Sequence, residues 1–429
     1  MDVFLKMELR NTMKRRIPDK MTDLSSMYRK HTHREHILEL PDTYIGSIET
    51  HPQEVYVVDG EKFVPQEAQI NPGFYKLIDE LLVNAHDQVI RLRQRKSESP
   101  VKAIDVEWKD GVLTIRNDGE GIDVEEHPEH GVYIPELIFS QLLTSTNYDK
   151  TEKKMVGGKN GYGVKLVNIF AKEMTITIVD AKRQRKYVQT FRNNMSVIEK
   201  PKITPYKLKS YVEVAWTPDL ARFKWDEVPE GVLKLVERRV YDLAMTVGKE
   251  VKVKWNDKLM VSRDLKTYAT MYLPEKASIV ADDPQAHWHV VVSSSPTDKL
   301  FTVSFVNGIW TQSGKHVDGL VNQIVSSLVD YLETKKKTKV RPGLVKDHLA
   351  VFVECLVENP SFSSQTKEVL TSSAPCKLSD DFLKKIATKL PIVERILEAQ
   401  SAKDTKDNSK TDGKKQNRIT GIPKLEDVL

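Results

Sequence analysis

Between residues 74 and 87 the apolar side chains fall at 74, 77, 78, 81, 82 and 85, a spacing that lays one greasy stripe along a helix. The stretch follows Asn71-Pro72-Gly73, a strong turn signal. The period then changes. Two short β-type runs, 104–108 and 113–116, flank Lys109-Asp110-Gly111 and predict a hairpin. Residues 164–170 read as a helix, 175–179, 187–191 and 211–216 as strands, and 231–245 as a helix. Residues 251–255 with Asn256-Asp257 begin another hairpin, and 41–47 read as a turn feeding a short strand. From about residue 258 a second α/β unit is expected, with strands at 287–292 and 301–307 and helices at 317–333, 382–390 and 391–400, the last two separated by Pro391. Residues 1–30 form a mixed basic arm without period, and 401–416 are rich in Lys, Asp, Ser and Thr, as a solvated linker is. The chain thus divides into an arm (1–30), a first unit (31–257), a second unit (258–400) and a linker (401–429).

Composition narrows the class. With 39% hydrophobic and 30% charged residues the chain reads as soluble and globular, and 429 residues exceed one domain. No apolar run is long enough to span a bilayer, so no membrane partner is expected. The two cysteines, Cys355 and Cys376, make neither a metal pattern nor a disulfide framework, which fits a reducing compartment. The balance of 66 basic against 61 acidic residues does not by itself argue for nucleic acid, so local clustering must.

Three places carry candidate chemistry. Glu80, Asn84 and Asp87 stand at i, i+4 and i+7 on the helix face opposite the apolar stripe. A carboxylate and a carboxamide one turn apart suit a hydrolytic magnesium site: Glu80 can orient and deprotonate a water, and Asn84 can offer Mg2+ an oxygen. An ordinary solvated helix face has the same spacing. Directly after the second hairpin strand comes Asn117-Asp118-Gly119-Glu120-Gly121-Ile122. Its glycines let backbone approach a planar ligand, and the Asn117 carboxamide both donates and accepts, as an adenine edge requires. A plain turn looks alike. The third place is Gly157-Gly158-Lys159-Asn160-Gly161-Tyr162-Gly163, which opens a helix at Val164-Lys165. Its glycines free backbone N–H groups to surround phosphates, the helix N-terminus adds a positive dipole end, and Lys159 or Lys165 supplies a full charge. A flexible loop is the plain alternative. The glycine order is neither a Rossmann fingerprint nor a P-loop, and no HRD or DFG string points to a protein kinase.

In this order the three features resemble the GHKL ATPase superfamily. Longer strings narrow the resemblance: Glu35-His36-Ile37-Leu38, Pro41-Asp42-Thr43-Tyr44-Ile45-Gly46-Ser47, Leu142-Leu143-Thr144-Ser145-Thr146-Asn147-Tyr148, Gly161-Tyr162-Gly163 with Lys165-Leu166, Ser364-Gln365-Thr366-Lys367-Glu368, and Asn417-Arg418-Ile419-Thr420-Gly421-Ile422-Pro423-Lys424-Leu425. These are similar to the ATP-binding portion of eukaryotic-type DNA topoisomerases II, from about residue 28 to the end. The resemblance implies an α/β (α+β) architecture: a GHKL, or Bergerat, α/β sandwich whose mixed sheet is covered on one face by helices that hold ATP. A smaller transducer with a ribosomal-protein-S5-like fold is expected to follow.

It also implies roles. Glu80 matches the general base and Asn84 the Mg2+ ligand, while Asn117 matches an adenine-contacting position where gyrase has Asp. Ser145, Thr146 and Asn147 match a segment on ribose and phosphate, and Gly158, Lys159, Asn160, Gly161, Tyr162, Gly163, Val164 and Lys165 match the phosphate-wrapping lid. Gln365 and Lys367, a solvated loop on chemistry alone, match a pair that reaches the γ-phosphate once both units close. Tyr28 matches an arm residue that crosses to the nucleotide of the partner in an ATP-dependent homodimer. Five basic residues in seven from Lys335 to Arg341 fit either a solubilising loop or salt-sensitive phosphate contact. The family carries a DNA-sensing lysine loop there, which assigns Lys335, Lys336 and Lys337 to double-stranded DNA. His86 and Glu120 depart from the pattern, without being assigned ligands.

The stretch ends before the family's acidic metal-binding domain and nucleophilic tyrosine, so alone it is expected not to cleave DNA. A nucleus is the expected location, or a viral factory or virion if the source is a large DNA virus. Asn117 and the Gln365-Thr366-Lys367 string separate the chain from gyrase and mismatch-repair ATPases. A clamp that binds ATP without turnover remains a reading of a different class.

Overall fold

The computed structural model describes residues 31–142, 155–158 and 161–412. Helix α1 (His33–Glu39) opens with a reciprocal capping box between Thr32 and Glu35. Residues 41–47 do not feed a strand: they form one helical turn, α2 (Asp42–Ile45), and pairing begins only at His51. There β1 (His51–Asp59) and β2 (Lys62–Ile70) make an antiparallel hairpin.

Helix α3 (Pro72–Gln94) starts where the turn signal was read, because Asn71 is its cap. The Asn71 side chain accepts from the Phe74 N–H at 3.1 Å and Pro72 sits in the first turn, where its missing N–H costs nothing. The helix runs to Gln94, a full turn and more beyond the apolar stripe. Beyond it a nine-stranded sheet is built from β3 (Ala103–Lys109), β4 (Val112–Asp118), β5 (Ala171–Asp180), β6 (Arg185–Arg192), β7 (Val197–Ile198), β8 (Lys202–Pro205), β9 (Tyr211–Pro218), β10 (Lys252–Trp255) and β11 (Lys258–Leu259). Their order is β11-β10-β3-β4-β9-β5-β6-β7, with β8 also on β6. Only the β10–β3 pair is parallel. Asp110 and Gly111, both at positive φ, close the β3–β4 hairpin. Helices α4 (Ile134–Ser140), α5 (Gly163–Ile169) and α6 (Glu230–Val247) complete this unit, and α3 packs against α5, α6 and β4. The sheet's last strand runs past 257, the end expected for the first unit.

After α7 (Leu265–Tyr272) comes a five-stranded sheet of β12 (Ile279–Gln285), β13 (Trp288–Ser294), β14 (Phe301–Val306), β15 (Ile309–Thr311) and, past three further elements, residues Leu349–Cys355. Those elements are the two-residue strand β16 (Ser313–Gly314) and the long helix α8 (Lys315–Lys335), with a short α9 (Pro342–Asp347) behind. Leu349–Cys355, β17, lies between β13 and β14. Val351 and Val353 face the core under α8, whereas Ala350 and Phe352 join the core of the first unit together with Val291, Val303 and Phe305. Edge-on contacts of Tyr56 with Phe301 and of Phe63 with Tyr272, and a tilted Tyr272–Phe301 pair, sit at this seam. Strand β18 (Val369–Leu370) pairs in parallel with β16 and so ties the 363–370 loop to the start of α8.

Helix α10 (Asp380–Lys389) ends before Pro391 and α11 (Ile392–Asp412) begins after it. Residues 401–412, expected as linker, continue α11, and 401–405 are exposed. No proline or glycine interrupts the run before Gly413, and a Gln400–Asp404 contact at 2.8 Å supports the helical spacing.

Candidate functional site

Helix α3 carries an unusual load of buried charge. Glu80 is 5% exposed, and its Oε1 lies 2.7 Å from Lys76 Nζ and 3.2 Å from Lys367 Nζ. Burial is the largest single influence and pushes the Glu80 carboxyl up. Lys367 and Lys76 together outweigh it, so the group sits below the usual glutamate value and is charged. Asp79 shares Lys76 at 3.3 Å and pairs with the buried Arg239 at 2.8 Å, and these cations overcome burial to hold it at about 2. Asn84, one turn on from Glu80, is exposed and lines a cavity of about 390 Å3.

Asp87, grouped from its spacing with Glu80 and Asn84, has a different task. Its Oδ1 accepts from the Gly157 N–H at 2.8 Å and its Oδ2 from the Gly158 N–H at 2.7 Å. A buried carboxylate thus clamps the near end of the glycine segment to the helix. Gly157 threads a narrow gap: a Cβ there would meet Ile309 at 2.9 Å and Val83 at 3.0 Å. At the far end, a Cβ on Gly163 would stand 2.1 Å from Glu80 Oε2, so only glycine lets helix α5 begin beside that carboxylate. Lys165, the third residue of α5, donates to the Gly161 carbonyl at 2.6 Å, and burial lowers its pKa to about 8.

The loop after β4 is held by Asp118, whose Oδ1 accepts from the Lys102 and Ala103 N–H groups at 2.7 and 2.8 Å. The reason for its first glycine differs from the expected one. Gly119 has φ +89° and a Cβ would lie 2.8 Å from the Val101 nitrogen, so this glycine serves close chain packing rather than approach to a ligand. Asn117 is buried, donates to the Asp118 carbonyl at 3.1 Å and lines the cavity. Ile115 and its β9 neighbours Val212 and Val214 line it as well, giving the sheet side an apolar wall with one carboxamide in it.

Glu80, Asn84, Asn117, Gly158, Gly161, Tyr162, Gly163, Val164, Lys165, Gln365 and Lys367 therefore surround one cavity, although they come from widely separated stretches. Lys367 reaches it from the 363–370 loop at φ +63°, so the second unit already contributes a cation to the floor. Tyr28, Ser145, Thr146, Asn147, Lys159 and Asn160 lie outside the described residues. The two noted departures have clear settings. The His86 ring is buried against Gly308 of the β14–β15 turn, and the Glu120 carboxylate accepts from Ser97 Oγ at 2.8 Å at the cavity edge. Lys335, Lys336 and Lys337 are exposed at the end of α8, away from the cavity's lining residues. Among the described residues only His127, Glu129 and His130 group as metal ligands. They sit on a partly exposed turn where His127 Nδ1 already accepts from the Glu129 N–H at 3.2 Å, outside the cavity lining. No described helix is long and apolar enough to cross a membrane.

Sequence reasoning passed over Lys76, Asp79 and Arg239. The first two stand four and one residues before Glu80, a spacing visible in the sequence; nothing in the sequence marks Arg239.

The chain is similar to known proteins in both sequence and fold. The family profile described as "Histidine kinase-, DNA gyrase B-, and HSP90-like ATPase" matches residues 70–195, and the "DNA gyrase B" profile matches 254–415. The crystal structure of the ATPase region of Saccharomyces cerevisiae topoisomerase II superposes with TM-score 0.80 at 38% identity, covering 88% of this chain and 100% of that one. The ATPase and transducer domains of DNA topoisomerase II from Balamuthia mandrillaris give 0.81 at 35% identity, covering 89% and 99%. DNA topoisomerase 2 of Arabidopsis thaliana is 41% identical across 94% of this chain, and that of Acanthamoeba polyphaga mimivirus 39% across 91%. The chain spans 28% and 32% of those two relatives' lengths. In fold it is a GHKL α/β sandwich followed by a transducer, and the chain belongs to the eukaryotic-type DNA topoisomerase II family, as that family's N-terminal ATPase region.

Proposed function

We propose that this chain binds and hydrolyses ATP with Mg2+, and that ATP closes two copies into a gate which captures duplex DNA for strand passage by a type IIA topoisomerase. The observation that carries the reading is the Glu80 carboxylate, buried on the cavity floor and met by a lysine from each unit. The base of ATP is assigned to the apolar wall with Asn117, whose carboxamide can donate and accept. Ser145, Thr146 and Asn147 are assigned to ribose and phosphate. The phosphates are assigned to the segment Gly158, Lys159, Asn160, Gly161, Tyr162, Gly163, Val164 and Lys165, with Gln365 and Lys367 at the γ-phosphate.

Glu80 is the general base. Its Oε1 is committed to two lysines, so Oε2, beside Gly163, is the atom that takes the proton of the attacking water. Asn84 suits Mg2+: it is a neutral oxygen donor exposed to the cavity, and this ion takes few protein ligands and keeps waters. When bound, Mg2+ would neutralise charge on the phosphate oxygens.

In the same reading residues 31–257 hold the nucleotide, 258–400 transmit its state, residues 1–30 bring Tyr28 to the partner's nucleotide, and 401–429 lead onward. Lys335, Lys336 and Lys337 contact the captured duplex. The test is a sizing run with and without a non-hydrolysable ATP analogue and Mg2+, joined to a phosphate-release assay. The expected result is a dimer only with the analogue, and release that depends on Glu80. Release without dimerisation would remove the gate, and dimerisation without release would make the chain a clamp.

A further inference from the structure

A buried chain of charges leads from the second unit to the Glu80 carboxylate. The Gly308 carbonyl accepts from Arg239 Nη2 at 2.8 Å, and Arg239 Nε donates to Asp79 Oδ1 at 2.8 Å. Asp79 Oδ2 is 3.3 Å from Lys76 Nζ, which in turn is 2.7 Å from Glu80 Oε1. Gly308 lies in the β14–β15 turn, and the other four residues lie on α3 and α6. We propose that Lys76, Asp79 and Arg239 are positioning residues, through which docking of the 307–308 turn sets the direction of the Glu80 carboxylate. The proposal rests on Glu80 being the base.

Each link is constrained. Gly308 has φ +74° and a Cβ there would come within 2.5 Å of the His86 ring, so the turn seats in one way. Arg239 is 1% exposed, and its planar guanidinium holds a carboxylate and a carbonyl on two elements in a fixed relative direction, which a compact ammonium would not. Lys76 lies between carboxylates three and four residues ahead on its own helix, so it moves with whichever holds it harder. Buried as they are, Lys76, Asp79 and Arg239 can draw little on solvent if a neighbour shifts. Withdrawing the turn would leave Asp79 as Arg239's one remaining hydrogen-bond partner, and the resulting shift of Arg239 and Asp79 would pass through Lys76 to Glu80 Oε1. Lys76, Asp79 and Lys367 are the charged groups acting on Glu80, and Lys165 lines the same cavity.

A purely structural ion cluster makes a different prediction from a positioning one. The test uses the whole chain as Lys76→Met, Lys76→Arg, Arg239→Lys and Gly308→Ala, with nucleotide binding, melting temperature and the pH profile of kcat measured for each. The expected result is nucleotide affinity near that of the parent chain with kcat down by about tenfold or more in Lys76→Met and Arg239→Lys. In Lys76→Met the acidic limb of kcat moves to higher pH, because a cation that favoured the ionised base is gone; Lys76→Arg restores the limb. Arg239→Lys and Gly308→Ala should be non-additive, since they cut one route. Unchanged kcat, or a fall in kcat with an unmoved limb and additive losses, overturns the proposal. If Lys76→Met fails to fold, the Arg239→Lys and Gly308→Ala pair decides through its additivity. A Glu80→Gln chain that still turns over sinks the reading of the base; a dead Glu80→Gln beside an unaffected Lys76→Met sinks only the positioning role.

Discussion

Around the cavity floor Lys76 and Lys367 are buried and bonded to one carboxylate oxygen, whereas Lys335, Lys336 and Lys337 stand in solvent at the end of α8. The side chain is the same and the physics is opposite. A buried ammonium is bound to its counter-charge by the cost of leaving either alone, roughly 3–5 kcal/mol when one partner is removed. Its position is therefore part of the chemistry. An exposed ammonium keeps its water, is screened by salt, and contributes through number and sign rather than geometry. One region is suited to catalysis at a fixed atom, the other to a polyanion whose sequence does not matter.

The comparison breaks most clearly at its centre. Glu80→Gln keeps the shape and removes the base, so hydrolysis should fall by roughly 10^2–10^4-fold while a filter-binding assay shows nucleotide retained. Normal turnover would mean the buried lysines surround a structural carboxylate. Gly163→Ala comes next. Its methyl would need the space of Glu80 Oε2, and a displacement of about 1 Å at a reacting group costs on the order of 10^2-fold in rate. Single-turnover kinetics should show the loss in the chemical step.

Lys165 sharpens the contrast through pH. Burial holds its pKa at about 8 in the free protein, and a triphosphate favours the charged form. Nucleotide affinity should then be level below pH about 8 and decline above it, by up to about tenfold per pH unit, until the raised pKa of the complex is passed. Calorimetry at pH 8 in buffers of different ionisation enthalpy should register proton uptake on binding, and Lys165→Met should abolish it. The smallest effect belongs to the exposed run. Replacing Lys335, Lys336 and Lys337 by glutamine should make the slope of log K for duplex DNA against log salt shallower by about 0.9 for each phosphate that is no longer neutralised. An unchanged slope would remove these lysines from the DNA surface.

Most of the fold was legible because its elements are amphipathic. Helix α3, the β3–β4 hairpin and α6 each keep one apolar face, and period alone finds such segments. Strand β17 did not stand out, since it is buried on both sides and Leu349–Cys355 is nearly continuous apolar sequence. The β1–β2 hairpin was missed for the opposite reason: β1 is exposed over 51–54 and buried only at Val57 and Val58, and β2 is exposed over its middle at 65–67, so alternation is weak. Glu80, Asn84 and Asn117, which line the cavity, were singled out by residue type and place, and the roles given them stand as proposals. Asp87 was grouped with Glu80 and Asn84 by spacing but given no task, because nothing in the sequence shows that its carboxylate accepts from the Gly157 and Gly158 N–H groups about seventy residues on. Lys367 and Arg239 approach from far along the chain, and spacing carries no information about such contacts.

The shared interior of the two units has a practical consequence. Val291, Val303, Phe305 and Phe352 of the five-stranded sheet complete the interior of the nucleotide-holding unit. A shortened gene ending near codon 258 would leave that greasy surface bare, and its product is expected to aggregate rather than stay in solution. For the same reason the units should shift by small slides of packed side chains rather than swing apart like a door.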